Sequence, residues 1–374
     1  MAFCVSEYKG GRKKPKNTAL QKQFITQAKK TASRAWLSEV STVPLQQSLN
    51  DLEQAYKNFF SSCKGKRKGR QIKLPWFKKR KSKQSARFTN TGFSVKVGQI
   101  YLAKVGNLDV VWSRPLPSAP SSVTVIKDSA NRYFLSFVVE VQPENLPQSD
   151  KTIGIDLGIK SFATLSNGQK IEAPKPLTRK ILCLRKLSKK LDRKTRGSRR
   201  SEQSRKRLAR FHAKLADNRT DFLHKLSTQI IRSNQTIVLE DINVSGLVKN
   251  RKLSRAISDL GWRSFRTFLE AKSERSGREF RIINRWEPTS QRCSCCGFRI
   301  GKLDLSIREW VCLNCGTSHA RDVNAAVNIL VAGGHSETLN GRGGQRQTTV
   351  ICSSDQGSVN PPEFQQLSIF ELLE

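Results

Sequence analysis

The chain has 374 residues, enough for one large domain or two to three ordinary ones, and at 37% hydrophobic and 26% charged residues most of it should fold. Its 68 Lys+Arg against 30 Asp+Glu leave a formal charge of +38, a self-repelling excess that needs a polyanion to neutralise it. No apolar run reaches the roughly 18 residues of a spanning helix, and no secretory signal opens the chain. No membrane partner is therefore expected, nucleic acid is, and the protein reads as cytosolic.

Residues 1–62 read as helical, with Leu45, Leu49, Leu52, Tyr56, Phe59 and Phe60 at near-helical spacing after Pro44. Two basic runs follow, Lys64–Arg70 and Leu74–Lys81. The second mixes Trp76 and Phe77 with cations, which fits either a solvated loop or a surface that stacks bases and holds phosphates. From Ser94 to Val141 the pattern becomes β-like, with Val95/Val97, Ile100/Leu102 and Val123/Val125 alternating and an apolar run from Tyr133 to Val141. A small barrel or sheet is expected there. Gln142–Asp150, with two prolines, marks a boundary.

Thr152–Asp156 is a compact strand, and Phe162–Leu165 its expected hairpin partner. Two basic helices follow at about Leu177–Lys194 and Glu202–Ser233, split by Arg196–Arg200. The first carries Ile181, Leu184, Leu187 and Leu191 on one stripe, which points to core packing, and its cationic face is suited to phosphates. Strands at Thr236–Glu240 and Glu279–Asn284, a helix at Trp262–Ser276 and a closing helix at Asp322–Val331 complete the folded part. The tail from Gly333, rich in Gly, Ser, Gln and Asn, is expected to be disordered.

Nine cysteines are too few and too uneven for a secreted disulfide scaffold; five fall within Cys293–Cys315. Cys293-x-x-Cys296 and Cys312-x-x-Cys315, separated by residues 297–311, have the spacing of a four-cysteine zinc site. Both pairs end in glycine, Gly297 and Gly316, which lets the backbone turn and aim amides at sulfur. Four thiolates leave no open position, so this Zn²⁺ is expected to be structural. Cys295 is a spare, and Cys4, Cys63, Cys183 and Cys352 are scattered.

Three carboxylates stand out. Asp156 lies in an apolar strand and Glu240 ends a second one, where charge is costly unless a metal or partner compensates it; Asp322 opens a helix. Each has a plainer reading: Asp322 as a helix cap, and Asp241, beside Glu240, as a cap or turn residue. The Gly154-Ile-Asp-Leu-Gly158 turn also opens sugar-kinase and chaperone-type ATPases, but those need further Gly-rich phosphate loops downstream that are not found here.

Taken in order, Ile153–Leu165, Arg219–Ser227, Val238–Leu247, the four cysteines and Ala320-Arg-Asp-Val-Asn-Ala-Ala-Val-Asn-Ile329 resemble the TnpB (OrfB) proteins of bacterial insertion sequences, relatives of type V CRISPR effectors. The resemblance runs from Pro44 to Val331. It implies an α/β RNase H-like (RuvC) nuclease domain with an inserted four-cysteine zinc ribbon, preceded by a helical lobe and a β-barrel-like wedge domain. The corresponding boundaries are 1–62 for the helical recognition lobe, 63–150 for the wedge, 151–291 for the nuclease, 292–319 for the ribbon, 320–332 for the last nuclease helix and 333–374 for the tail. It also implies Asp156, Glu240 and Asp322 as catalytic acids, and Cys293, Cys296, Cys312 and Cys315 as zinc ligands. Three such acids suit two Mg²⁺ ions about 4 Å apart, one activating water and one stabilising the leaving oxygen of a phosphodiester. Arg321, Asn324 and Arg219 are further candidates for nucleic-acid or metal-shell contacts. The partners implied are a guide RNA and a DNA target beside a short protein-read motif. Because Met1 falls inside the helix that follows the family's first strand, an N-terminally shortened wedge barrel is expected.

The resulting expectation is a transposon-encoded, RNA-guided DNA endonuclease. Two alternatives stay open: a DNA-binding protein that does not cut, and a strand-transferring transposase of the Asp-Asp-Glu type.

Overall fold

The computed structural model describes residues 2–11, 15–67, 71–76, 84–96, 98–301, 303–304 and 306–334. The expected tail lies, beyond Gly334, outside them, as do residues 68–70 and 77–81 of the basic stretches and Val97. Two units are present, Met1–Pro143 with Arg179–Asn218, and Glu144–Thr178 with Arg219–Glu374. Residues 179–218, inside the span 151–291 expected for the nuclease, group with the N-terminal residues in this division.

The first unit opens with α1 (Ala2–Lys9) and α2 (Asn17–Gln21), continues through π and 3₁₀ turns to Ser38, and then forms α3 (Thr42–Cys63). Pro44 falls in the first turn of α3, where its missing N–H costs nothing. The spacing read from the sequence works as expected: Leu49, Leu52, Tyr56 and Phe60 pack with Cys4 and Leu20. Six antiparallel strands follow, β1 (Gln84–Thr89), β2 (Phe93–Lys96), β3 (Gln99–Leu102), β4 (Gly106–Leu108), β5 (Ser122–Lys127) and β6 (Tyr133–Val138). They make two three-stranded sheets, β1-β5-β6 and β2-β3-β4, over one core of Phe88, Ile100, Leu102 and Val123. The β-rich region thus starts ten residues before Ser94, because Gln84-Ser-Ala-Arg-Phe-Thr89 carries little apolar alternation of its own. Helices α4 (Pro176–Asp192) and α5 (Arg199–Ser233) come next. The stripe of Ile181, Leu184, Leu187 and Leu191 is only half-buried, not a core face.

The second unit is built on a five-stranded mixed sheet. Its strands are β7 (Thr152–Leu157), β8 (Ala163–Leu165), β9 (Lys170–Ile171), β10 (Thr236–Glu240) and, after α6 (Val244–Leu247), α7 (Ser254–Leu260) and α8 (Trp262–Arg275), β11 (Glu279–Ile283). The order is β9-β8-β7-β10-β11; β7, β8 and β9 form an antiparallel meander, while β7, β10 and β11 run parallel. A hairpin of β12 (Glu309–Val311) and β13 (Ser318–Ala320) leads into α9 (Arg321–Ala332).

Strand alternation sorts the two faces of this sheet. Ile153, Ile155, Ile237 and Leu239 point to one side and pack on the end of α5, on α7 and on α8. Phe162 sits there edge-on to Phe222 and Phe265, with ring centroids 5.3 and 5.1 Å away. On the opposite face Val238 and Ile283 meet Ile329 and Leu330 of α9. This three-layer arrangement is the α/β architecture the resemblance implies. Among the described residues no helix is long and apolar enough to cross a membrane.

Candidate catalytic site and zinc ribbon

Because side chains alternate, Gly154 and Asp156 share one face of β7, and Val238 and Glu240 share the same face of β10. Val238 pairs with Gly154 in the parallel register, so the next residues on that face, Glu240 and Asp156, fall side by side at the strand ends. Helix α9 crosses this face in close contact. A methyl on Gly154 would sit 2.8 Å from Leu330 Cβ and closer still to the Ala326 carbonyl oxygen, so only glycine admits the helix here. The N-terminal turn of α9 then carries Asp322 to the ends of β7 and β10. Sequence positions 156, 240 and 322 meet in one cavity of about 450 Å³.

The electrostatics of this cavity are those of acids crowded together. Burial pushes the Asp156 carboxyl up to about 7; Glu240 and then Asp322 add to the rise, and only Arg321 opposes it. Glu240 is raised as well, by burial first and by Asp241 second. Asp322 lies 3.5 Å from Arg308 and in the favourable first turn of a helix. Arg285, Arg299, Arg308 and Arg321 also line the cavity, so carboxylates and guanidiniums face the same space. The three acids do not close into a single cage: among the described residues, only the four cysteines bring three or more ligand atoms all within 4.8 Å of one another.

Those cysteines sit on two turns of the same design. Cys293 N–H donates to the Phe298 carbonyl and Gly297 N–H to the Cys293 carbonyl; Cys312 with Thr317, and Gly316 with Cys312, repeat the pattern. Gly297 and Gly316 take φ of 76° and 71°, which a side chain would strain. Cys296 N–H points at Cys293 Sγ from 3.5 Å. The sulfurs of Cys293 and Cys315 are 3.7 Å apart and those of Cys296 and Cys312 3.6 Å. Tetrahedral zinc with bonds of about 2.3 Å requires about 3.8 Å. The cluster is compatible with a structural zinc site. Cys315 is lowered to about 6, first by the Thr317 hydroxyl, and Cys296 is lowered too, whereas burial raises Cys293 to about 12. His319 Nε2 lies 3.0 Å from Cys293 Sγ, and its ring packs on Trp310.

Residues 136–251 match the family OrfB_IS605, described as "Probable transposase", and residues 262–329 match the Cas12f1-like TNB domain. The chain is 47% identical over 313 residues to the "Putative RNA-guided DNA endonuclease" of Streptomyces pristinaespiralis, covering 83% of this chain and 76% of that one. It belongs to the TnpB/OrfB family. The "Putative RNA-guided DNA endonuclease InsQ" of Escherichia coli (strain K12) is 31% identical over 331 residues, covering 83% and 79% of the two chains. Among solved structures, the cryo-EM structure of a Cas12f1–sgRNA–target DNA complex overlays with a TM-score of 0.50 over 84% of this chain and 78% of that one. At 15% identity that likeness concerns the fold alone.

Other residues singled out by the TnpB/OrfB resemblance are placed less uniformly. Arg321 lines the cavity while donating to the Asp304 carbonyl at 2.6 Å. Asn324 is buried, and both ends of its amide are engaged: Oδ1 accepts from Ser294 N–H and Nδ2 donates to the Arg292 carbonyl, each at 2.8 Å. It ties the ribbon to α9 and has no open face for a nucleic acid. Arg219 donates to the Ser258 carbonyl at the end of α7. Asp322 does not cap its helix; Ala320 holds that position. Nor is Asp241 a cap. It accepts from Arg266 at 2.6 Å and from Arg285, and these two guanidiniums hold its carboxyl below the usual range. Sequence reasoning missed Arg285 and Arg308, lone cations in a chain full of them, and Asn328, whose amide Nδ2 reaches the Thr289 and Arg292 carbonyls. The last could have been found from its four-residue spacing from Asn324 on an apolar helix.

Proposed function

We propose that this protein is a transposon-encoded, RNA-guided DNA endonuclease that hydrolyses phosphodiester bonds with Mg²⁺, using Asp156, Glu240 and Asp322. One observation carries the reading: three acids from distant parts of the chain line a single cavity that arginines share. Hard carboxylate oxygens suit Mg²⁺; the rise of Asp156 to about 7 comes first from burial and then from Glu240 and Asp322, a cost that a bound divalent cation would relieve. Carboxylates that serve two ions need each reach only one of them, so a spacing wider than the thiolate cage fits. Bound cations would supply Lewis-acid activation of water and charge stabilisation at phosphorus. The chain's own contribution is positional: β7, β10 and α9 fix the acids, and Arg285, Arg299 and Arg308 offer donors to phosphate oxygens.

The relatives named as RNA-guided DNA endonucleases support a guide RNA and a DNA target as partners. The formal charge of +38 is in keeping with both. The decisive experiment is cleavage of target plasmid by protein expressed with RNA from its own locus. Wild type is expected to break the DNA only with Mg²⁺, and Asp156→Ala to leave it intact. Binding without nicking in the wild type would favour the non-cutting alternative, and joined donor–target products would favour strand transfer.

A further inference from the structure

Three tryptophans among the described residues are exposed, Trp36, Trp76 and Trp286. The last lines the cavity of the three acids and is 83% exposed. Its placement follows from the sheet. Ile283, the last residue of β11, pairs with Glu240, so Trp286 stands three residues beyond the level of that acid. A turn fixes it there: Trp286 N–H donates to Asn284 Oδ1 and Glu287 N–H to the Asn284 carbonyl, both at 3.1 Å. A large ring is thus mounted on the rim of a charged cavity, and none of the buried cores includes it.

We propose that Trp286 is a stacking platform for a nucleobase of the single strand whose phosphate faces Asp156, Glu240 and Asp322. The inference rests on the nuclease reading and goes beyond it to the form of the substrate. A strand held through its phosphates by guanidiniums must direct its bases elsewhere, and an indole plane is the surface every base can use whatever its sequence. The cavity supplies both halves: Arg285 next to the tryptophan and Arg299, Arg308 and Arg321 within the same lining. Stacking beside the acids takes a base out of a duplex, so the strand presented for hydrolysis is unpaired at that nucleotide.

Two measurements on the full chain test this. In the first, short single-stranded DNA carrying 5-iodouracil at successive positions is crosslinked by long-wavelength light with Asp156→Ala, which holds it uncut, and the attached peptide is identified by mass spectrometry. Attachment at Trp286 from one or two positions is expected; attachment only at other residues overturns the proposal. In the second, Trp286→Ala should raise KM about tenfold with kcat little changed, and Trp286→Phe should recover most of the loss. An abasic nucleotide at the crosslinking position should cost the wild type the same factor and cost Trp286→Ala nothing further. Independent, multiplying losses would reject stacking. Cleavage that persists in Asp156→Ala would instead reject the assignment of the acids, and the crosslink would still report on Trp286.

Discussion

The second unit holds two candidate metal centres that are built by opposite means. The cysteine centre is local: its ligands lie between positions 293 and 315, on two turns with the same hydrogen bonds and the same positive-φ glycines. The carboxylate centre is assembled over 167 positions, from Asp156 to Asp322, by strand register and by the close approach of α9 at Gly154. In the first, only a small cluster around Cys293, Trp310 and Cys312 supports the turns, so a bound ion would contribute directly to folding. In the second, an α/β core buries an acid beside two others, and burial first, then Glu240 and Asp322, raise Asp156 to about 7.

The contrast predicts different losses. Cys312→Ser removes a buried ligand, and the ribbon is expected to release its zinc and lose structure, since apparent binding energies for structural zinc are about 10–16 kcal/mol. Chromophoric chelation would read the metal, and amide exchange over residues 292–319 the unfolding. Asp322→Ala should abolish cleavage by about a thousandfold or more and leave zinc content and thermal stability near wild type. If both substitutions melted the protein equally, the two centres would not differ as argued.

Titration separates them next. The folded value for Asp156, about 7, lies above its ordinary 3.8, so between those limits the native state binds the extra proton. Without divalent cations, stability should therefore fall as pH rises from about 4 to about 7 and level off above, by on the order of 4 kcal/mol for this group. Glu240 adds in the same direction. Mg²⁺ competes with that proton, so the concentration giving half-maximal cleavage should decrease as pH approaches 7. Denaturant melts of wild type and Asp156→Asn across this range provide the check; a profile unchanged by the substitution would assign the dependence elsewhere.

The same difference explains what could be read from sequence. A four-cysteine site shows in spacing alone because its turns need no other part of the chain. The acids show only as charges placed where a strand or helix should be apolar, and it took the resemblance to join them. Strands β7 and β10 and helix α9 were legible because buried elements carry apolar runs, and β11 from the shorter Phe280/Ile282-Ile283 pattern. Strand β1 and the two-residue β9 were not, since pairing rather than composition makes them strands. The role of Asp241 depends on Arg266 and Arg285, 25 and 44 positions away, and nothing local announces such partners.

Gly154 tests the non-local construction itself. Gly154→Ala places a methyl against the Ala326 carbonyl and Leu330, which should cost about 1–3 kcal/mol as α9 shifts. Cleavage should fall further than stability does, because the helix that moves carries Asp322. Zinc content should hold. A variant that is less stable yet cuts at the wild-type rate would show that the position of α9 at Gly154 does not set the acids.

The smallest expected effect lies where the two centres join. Asn324 and Asn328, one turn apart on α9, hold the segment entering the ribbon at Ser294, Arg292 and Thr289. In Asn328→Ala the Arg292 carbonyl keeps a donor from Asn324, whereas the Thr289 carbonyl loses the Asn328 amide. One under-satisfied buried acceptor should cost about 1–3 kcal/mol. Thermal unfolding should register that loss, with zinc bound and the KM for DNA unchanged, because neither asparagine faces the cavity. Asn324→Ala should behave alike, since it leaves Ser294 N–H without its acceptor while the Arg292 carbonyl keeps the Asn328 amide. If Asn324→Ala instead raised KM at unaltered stability, the side chain would be meeting nucleic acid, and the strut between the two centres would have to be sought in another residue.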